Sequence, residues 1–226
     1  MSWKNNNHSI IASISVAIYF SIISTACLAE EKDKQATIKP DQQKGETIIK
    51  KEDEKISDLV TIQTDKGTIK IKLFTKEAPI TTANFLELVK KGFYNSTVFH
   101  RVVENFVIQG GDPLGDGTGN YIDPDTGKAR FIKLETSPSL KFDRAGRVGM
   151  ARTSSPNTAS CQFFIAVDAL PSLDPGGVDP YGYAVFGQIT DDSLETVQKI
   201  VSDFKPLIPG SDKPAHPVRM KLVTSP

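Results

Sequence analysis

Cysteine, histidine and tryptophan are scarce in this 226-residue chain, which contains two, three and one of them respectively. Two cysteines, Cys27 and Cys161, are too few for a disulfide framework or a four-cysteine zinc site. The histidines are widely scattered, which argues against a histidine-built metal centre. An excess of one charge is also missing, since 27 Lys and Arg balance 27 Asp and Glu. Coating of nucleic acid needs a positive surface, so no nucleic-acid partner is expected.

A stretch without charged residues runs from Ser9 to Ala29, after a short start that carries Lys4. A cationic start, an apolar stretch and a small-residue exit are typical of a secretory signal peptide. Residues 24–27 (STAC) also resemble a bacterial lipobox, and an uncleaved anchor is the third option. Residues 1–29 are therefore predicted to be a signal peptide or lipoprotein signal. The protein is accordingly expected to be exported, either periplasmic or membrane-anchored on the outer side of the inner membrane.

Residues 30–57 are dominated by charge, with eight acidic and seven basic residues among 28 and no aromatic residue. Such a segment buries too little apolar surface to offset the entropy lost on ordering. It is predicted to be a flexible tether that precedes one folded domain over residues 58–226. We expect this domain to be monomeric.

Hydrophobic periodicity in residues 58–226 predicts many short strands. Residues 59–64 and 68–74 alternate apolar and polar side chains around Asp65–Gly67, which indicates a β-hairpin. Further short apolar runs, ending in a closing strand, are at 97–103, 106–109, 147–151, 162–167, 184–189 and 218–223.

Only two helices are predicted in the same region. The first covers residues 81–91, follows a proline and ends at Gly92. The second covers Ser193–Val201, with Asp191 or Asp192 as its cap. Many strands and two helices favour a mainly β fold, a closed antiparallel barrel with helical plugs.

Five blocks of sequence occur in a recognisable order and approximate spacing in the predicted domain. They are VFHRVV at 98–103, FVIQGGD at 106–112, GMAR at 149–152, SCQFFI at 160–165 and AVFG at 184–187. Together they resemble the cyclophilin family of peptidyl-prolyl cis-trans isomerases. The resemblance implies a closed antiparallel eight-stranded barrel with two capping α-helices. It also implies an isomerase that needs no cofactor and acts on proline-containing unfolded or flexible polypeptides. Together with the predicted signal at residues 1–29, this predicts an isomerase that assists the folding of exported proteins.

The resemblance also implies which residues act. Isomerisation of an Xaa-Pro bond meets a barrier of ~18–20 kcal/mol that amide resonance sets. Arg101 matches the donor that hydrogen-bonds the prolyl nitrogen as conjugation is lost, Phe106 matches the proline pocket, and Gln109 matches the residue that contacts substrate and helps to position the arginine. The remaining matches line the pocket and its adjoining groove: Val107, Ala151, Arg152, Gln162, Phe164, Leu173 and Tyr183. No metal ligand is implied.

Several positions depart from the family pattern. Val107 stands where Met is common, and Ser172 stands where eukaryotic members carry Trp, so weaker binding of the inhibitor cyclosporin is predicted. Tyr183 replaces the usual eukaryotic His, and residues 175–182 lengthen the loop beside the site. These changes bear on substrate preference and leave the central Arg–Phe–Gln set intact.

The sequence leaves other functions open beside the isomerase. His100 and Cys161 could indicate a thiol hydrolase, but cysteine is most often a buried small hydrophobe, which favours a structural role. A proline-peptide binding module or holdase chaperone with little isomerase activity stays open as the alternative. Arg101 favours the enzyme, because binding alone requires a pocket but no positioned cation. A structural assembly factor with a stable partner is the third possibility.

Overall fold

A computed structural model describes residues 58–226, so the predicted signal at 1–29 and tether at 30–57 lie outside the described residues. Eight strands form one sheet: β1 Leu59–Thr64, β2 Gly67–Leu73, β3 Val98–Val102, β4 Val107–Asp112, β5 Arg147–Met150, β6 Phe163–Ala166, β7 Val185–Ile189 and β8 Met220–Thr224. Helix α1 covers Pro79–Lys90, helix α2 covers Asp191–Ser202, and a 3₁₀ turn covers Pro171–Leu173. The pairings are antiparallel in the order β3-β4-β6-β5-β7-β2-β1-β8.

The two ends of this sheet meet and nearly close the barrel. The N–H of Ser96, just before β3, donates to the carbonyl of Met220 in β8 over 2.8 Å. Phe99 in β3 donates to the Val218 carbonyl over 2.9 Å, and Met220 donates back to Thr97 over 2.8 Å. The predicted mainly β fold, an eight-stranded antiparallel barrel with two helices, is therefore confirmed. So is the β1–β2 hairpin, whose last pair joins Thr64 to Gly67.

Helix α1 closes the barrel with its apolar side. Phe85 is fully buried, and its ring centroid lies 5.0 to 5.4 Å from those of Tyr94, Phe163 and Phe186. The helix begins with Pro79, where a missing N–H costs nothing. Its next two N–H groups, on Ile80 and Thr81, donate to the carboxylate of Glu135, which satisfies donors that a helix start leaves free.

Helix α2 begins two residues earlier than predicted. Thr190 occupies the N-cap position with an extended backbone, and Asp191 and Asp192 lie in the first helical turn. The prediction of an Asp cap is therefore wrong, although acidic side chains there still complement the helix dipole. The Ser193 hydroxyl accepts the N–H of Lys70 over 2.8 Å and joins the helix to β2. None of the helices in residues 58–226 has the length and apolar character needed to cross a membrane.

Candidate active site

A cavity of about 190 Å³ opens on the side of the barrel wall opposite to the main core. Its walls are formed by Arg101, Phe106, Val107, Gln109, Ala151, Arg152, Phe164, Leu173 and Tyr183. These are nine of the ten residues selected from the sequence. The tenth, Gln162, lines an adjoining cavity of about 200 Å³ that shares Gln109, Ala151 and Arg152 with the first. The structure thus brings the ten residues together, and their roles stay predictions.

Strand register explains why distant blocks of sequence meet here. Arg101 on β3 is paired with Gln109 on β4, Gln109 with Phe164 on β6, and Phe164 with Gly149 on β5. Residues in one such row project to the same face of a sheet. A Cβ on Gly149 would lie 2.5 Å from the Phe164 ring and 2.7 Å from the Phe142 ring, so only glycine leaves room for both rings.

The floor of the cavity is apolar. Phe164 stacks on Phe142 with centroids 5.4 Å apart and meets the edge of Tyr183 at 5.8 Å. Val107 and Leu173 are almost fully buried and belong to the same apolar cluster as Phe142 and Phe164, which is smaller than the main core. The neighbouring Phe163 points into the main core instead, because successive side chains of a strand face opposite sides of the sheet. The result is an apolar slot suited to a pyrrolidine ring.

Arg101 stands at the rim of this slot and is partly exposed. Its Nε and Nη2 both lie 3.1 Å from one carboxylate oxygen of Asp212. The guanidinium carbon lies 5.9 Å from the centroid of the Phe106 ring, within cation–π range. Sequence reasoning missed Asp212, because it is 111 residues from Arg101 in a loop without any recognisable pattern.

Gln109 is oriented by Gln162. Its amide nitrogen donates to Oε1 of Gln162 over 3.0 Å, and Nε2 of Gln162 donates to the carbonyls of Gly117 and Gly119 over 3.0 and 2.9 Å. This chain of hydrogen bonds fixes the polar wall between the two cavities. Within residues 58–226, no side-chain hydrogen bond joins Gln109 to Arg101, and the guanidinium contacts Asp212 instead.

Arg152 lines the cavity, yet its side chain is only 1% exposed. Nη2 lies 2.7 Å from Oδ1 of Asp179, and Nη1 donates to the Thr153 carbonyl over 2.8 Å. Nε donates to the Gly182 carbonyl over 3.1 Å, and the guanidinium carbon lies 4.5 Å from the centroid of the Tyr183 ring. The donors of Arg152 are thus directed to the protein, and its part in binding substrate stays a prediction.

The partner of Arg152 belongs to the lengthened loop at residues 175–182. Asp179 also accepts the N–H of Tyr181 over 2.8 Å, and the pKa of its carboxyl is lowered mainly by the hydrogen bond from Arg152. Close packing fixes the loop base, because a Cβ on Gly177 would lie 2.2 Å from the Ser172 carbonyl oxygen. The loop therefore contacts the cavity wall at two points, through the Asp179–Arg152 pair and through the packing of Gly177 on Ser172.

Cys161 and His100 are buried, in keeping with the structural role expected for the cysteine. Cys161 is fully buried, and burial raises the pKa of its thiol to about 11, so the reactive thiolate is scarce at neutral pH. Cys161 lies two residues before β6. His100 is buried as well, which lowers its pKa. Neither residue lines the cavity, so both are structural.

Barrel, slot and rim arginine together define the class of protein. A sequence model of the family described as "Cyclophilin type peptidyl-prolyl cis-trans isomerase/CLD" matches residues 59–225. The chain belongs to this family. A crystal structure of a cyclophilin-type isomerase from Cryptosporidium parvum, obtained in the presence of the dipeptide Ala-Pro, is 34% identical with a TM-score of 0.64. The match covers 74% of this chain and 97% of that one.

Curated relatives show the same domain within longer proteins. Peptidyl-prolyl cis-trans isomerase 9 of Schizosaccharomyces pombe is 48% identical over 113 residues, which are 50% of this chain and 18% of the relative. Peptidyl-prolyl isomerase CWC27 of Mycosarcoma maydis is 36% identical over 170 residues, 74% of this chain and 32% of the relative. Peptidyl-prolyl cis-trans isomerase CYP57 of Arabidopsis thaliana is also 36% identical, and the match covers 29% of its length. The chain thus spans at most about a third of these relatives.

The predicted location is wrong. A periplasmic or membrane-anchored exported protein was expected, whereas the relatives just named come from two fungi and a plant, whose cells have no bacterial periplasm. The bacterial origin that this expectation assumed finds no support either. The expectation depended on the apolar stretch between Ser9 and Ala29, and hydropathy alone does not identify the compartment.

Proposed function

We propose that residues 58–226 catalyse cis–trans isomerisation of Xaa-Pro bonds in flexible or unfolded polypeptides and so assist their folding. The observation that carries this proposal is the placement of the Arg101 guanidinium at the rim of an apolar slot. A binding module needs the slot alone. Catalysis also needs a donor that favours the twisted amide over the planar one.

The proposed mechanism uses no covalent intermediate. The pyrrolidine ring enters the slot between Phe106, Phe164 and Leu173, which displaces water from apolar surface. As the Xaa-Pro bond twists, resonance is lost and the prolyl nitrogen gains a lone pair that accepts an N–H of Arg101. Because the arginine is always charged and already in place, this hydrogen bond stabilises the twisted state more than either planar isomer.

Gln109 faces the peptide beside the ring. Its amide nitrogen donates to Gln162, which leaves its amide oxygen available to accept an N–H of the substrate backbone. This contact would fix the peptide on one side of the rotating bond while the other side turns. Because the peptide on that side is already fixed when the bond begins to rotate, less entropy is lost on reaching the transition state.

Exchange NMR on an Ala-Pro-containing peptide tests the proposal with the full chain. Catalysis would produce cis–trans exchange peaks that the free peptide lacks, because uncatalysed exchange takes tens of seconds or longer. Arg101→Ala should weaken these peaks strongly, whereas Arg144→Ala should keep them, since Arg144 is exposed and pairs with Asp143 away from the cavity. Peptide binding without exchange in the wild-type chain would favour the binding module or holdase instead.

A further inference from the structure

Asp212 makes the one carboxylate contact of Arg101 within the described residues 58–226, and nothing in the family resemblance assigns it a role. We infer that Asp212 is a positioning residue that holds the guanidinium of Arg101 in the orientation that catalysis requires. The inference rests on the proposed isomerase function. It goes beyond that function by naming what keeps the donor in place.

The contact engages only one edge of the guanidinium. Asp212 Oδ2 lies 3.1 Å from both Nε and Nη2 of Arg101, which are neighbours on the same edge. Nη1 makes no hydrogen bond within the described part of the chain. Nη1 is therefore available to a substrate nitrogen in the slot, while the edge formed by Nε and Nη2 is bound to Asp212. The carboxylate selects the orientation and does not occupy the donor that the reaction uses.

Asp212 is itself held against the strand that carries Arg101. Its backbone carbonyl accepts the N–H of Val102 over 2.9 Å, so backbone and side chain contact successive residues of β3. The loop around it is a narrow hairpin in which Leu207 donates to the Lys213 carbonyl and Ala215 to the Lys205 carbonyl. These bonds fix the carboxylate relative to β3 before any substrate arrives.

The exposure of the pair argues for positioning rather than for stability. The side chains of Arg101 and Asp212 are 37% and 50% exposed, and exposed ion pairs contribute little to the free energy of unfolding. A free arginine side chain, however, samples many rotamers, and ordering it costs entropy. Because the carboxylate restricts those rotamers in the free enzyme, the side-chain entropy is lost on folding and not on reaching the transition state.

The test compares Asp212→Ala and Asp212→Asn in the full chain over a range of peptide concentrations up to saturation. We expect Asp212→Ala to lower kcat by about tenfold with KM within twofold, because loss of orientation affects the transition state more than the bound ground state. Asp212→Asn keeps an oxygen acceptor and should recover part of the loss. Asp203→Ala is the matched control: it removes an equally exposed ion pair, with Lys66, that does not line the slot.

A double-mutant cycle separates positioning from a general structural effect. In an Arg101→Ala background, Asp212→Ala should have no further effect on kcat, since its only target is gone. An unchanged or raised kcat in Asp212→Ala, or an equal loss in the Arg101→Ala background, would overturn the inference alone. Absence of catalysis by the wild-type chain would overturn the proposed function, and the role of Asp212 would fail with it.

Discussion

Two arginine–aspartate pairs flank the same cavity and differ in nearly every physical respect. Arg101 is 37% exposed, contacts Asp212 along one edge and keeps a donor free for a ligand. Arg152 is 1% exposed and directs its donors to Asp179 and to backbone carbonyls. The first pair therefore suits transition-state stabilisation, and the second suits attachment of a loop. Residue type and proximity to the cavity do not separate the two roles, whereas burial and donor use do.

The largest expected effect is the loss of activity when the exposed arginine, Arg101, is replaced. Arg101→Ala should lower kcat/KM by ~10²–10³-fold, because it removes a preorganised donor used at the transition state. The melting temperature should hardly change, since the side chain is partly exposed. Protease-free NMR exchange and thermal unfolding measure the two quantities. Activity within about twofold of wild type would exclude Arg101 as the donor.

The opposite pattern is expected for the buried pair. Arg152→Ala should lower the Tm by roughly 5 °C or more, because Asp179 and several carbonyls lose the donors that satisfied them. The effect on kcat should be smaller than that of Arg101→Ala. Calorimetry of both variants, with the exposed Arg144→Ala as control, checks this. An unchanged Tm would show that the 175–182 loop does not depend on Arg152.

A change at Phe106 tests the apolar wall of the slot separately from the two arginines. Because its ring is only partly buried, Phe106→Ala should cost about 2 kcal/mol of stability rather than the ~3–5 of a fully buried ring. Peptide affinity should fall by about tenfold, since the ring forms one wall of the slot. Titration of the peptide by chemical-shift change measures the affinity. An unchanged affinity would remove Phe106 from the binding surface.

The smallest expected effect is on the pH dependence of stability. The folded-state pKa of Asp179 is below its ordinary value of 3.8, so the carboxylate contributes stability at neutral pH. That contribution should be lost as pH falls from about 3.8 through the folded-state pKa. The Tm difference between wild type and Asp179→Asn should therefore shrink below pH 4. A difference that stays constant from pH 7 to pH 3 would contradict the pairing.

Local pattern was enough for the elements but not for the contacts between them. The β1–β2 hairpin follows from alternation around Gly67, and α1 follows from its helical periodicity. The start of α2 was misplaced, because aspartate is favoured both as a cap and in the first turn. The export prediction was wrong for a similar reason, since an apolar N-terminal stretch does not by itself identify the compartment of a protein.

The site was predictable only where the family resemblance reaches it. Arg101, Gln109 and Phe164 lie in the five matching blocks, Leu173 and Tyr183 lie between two of them, and strand register aligns the first three. Asp212 and Asp179 lie in loops whose positions depend on tertiary hydrogen bonds, which no local pattern encodes. The same limit explains Arg152, whose match to a groove position gave no sign that its guanidinium is buried.

The most direct test of the account follows the arginine side-chain Nε–H signals by NMR while an Ala-Pro-containing peptide is added to the full chain. The signal of Arg101 is predicted to shift until it saturates, because substrate bound at Nη1 changes the environment of the whole guanidinium, including the Nε–H that donates to Asp212. The signal of Arg152 should stay nearly unchanged, because its donors are already bound within the protein. A shift at Arg152 with none at Arg101 would contradict the assignment of the two roles.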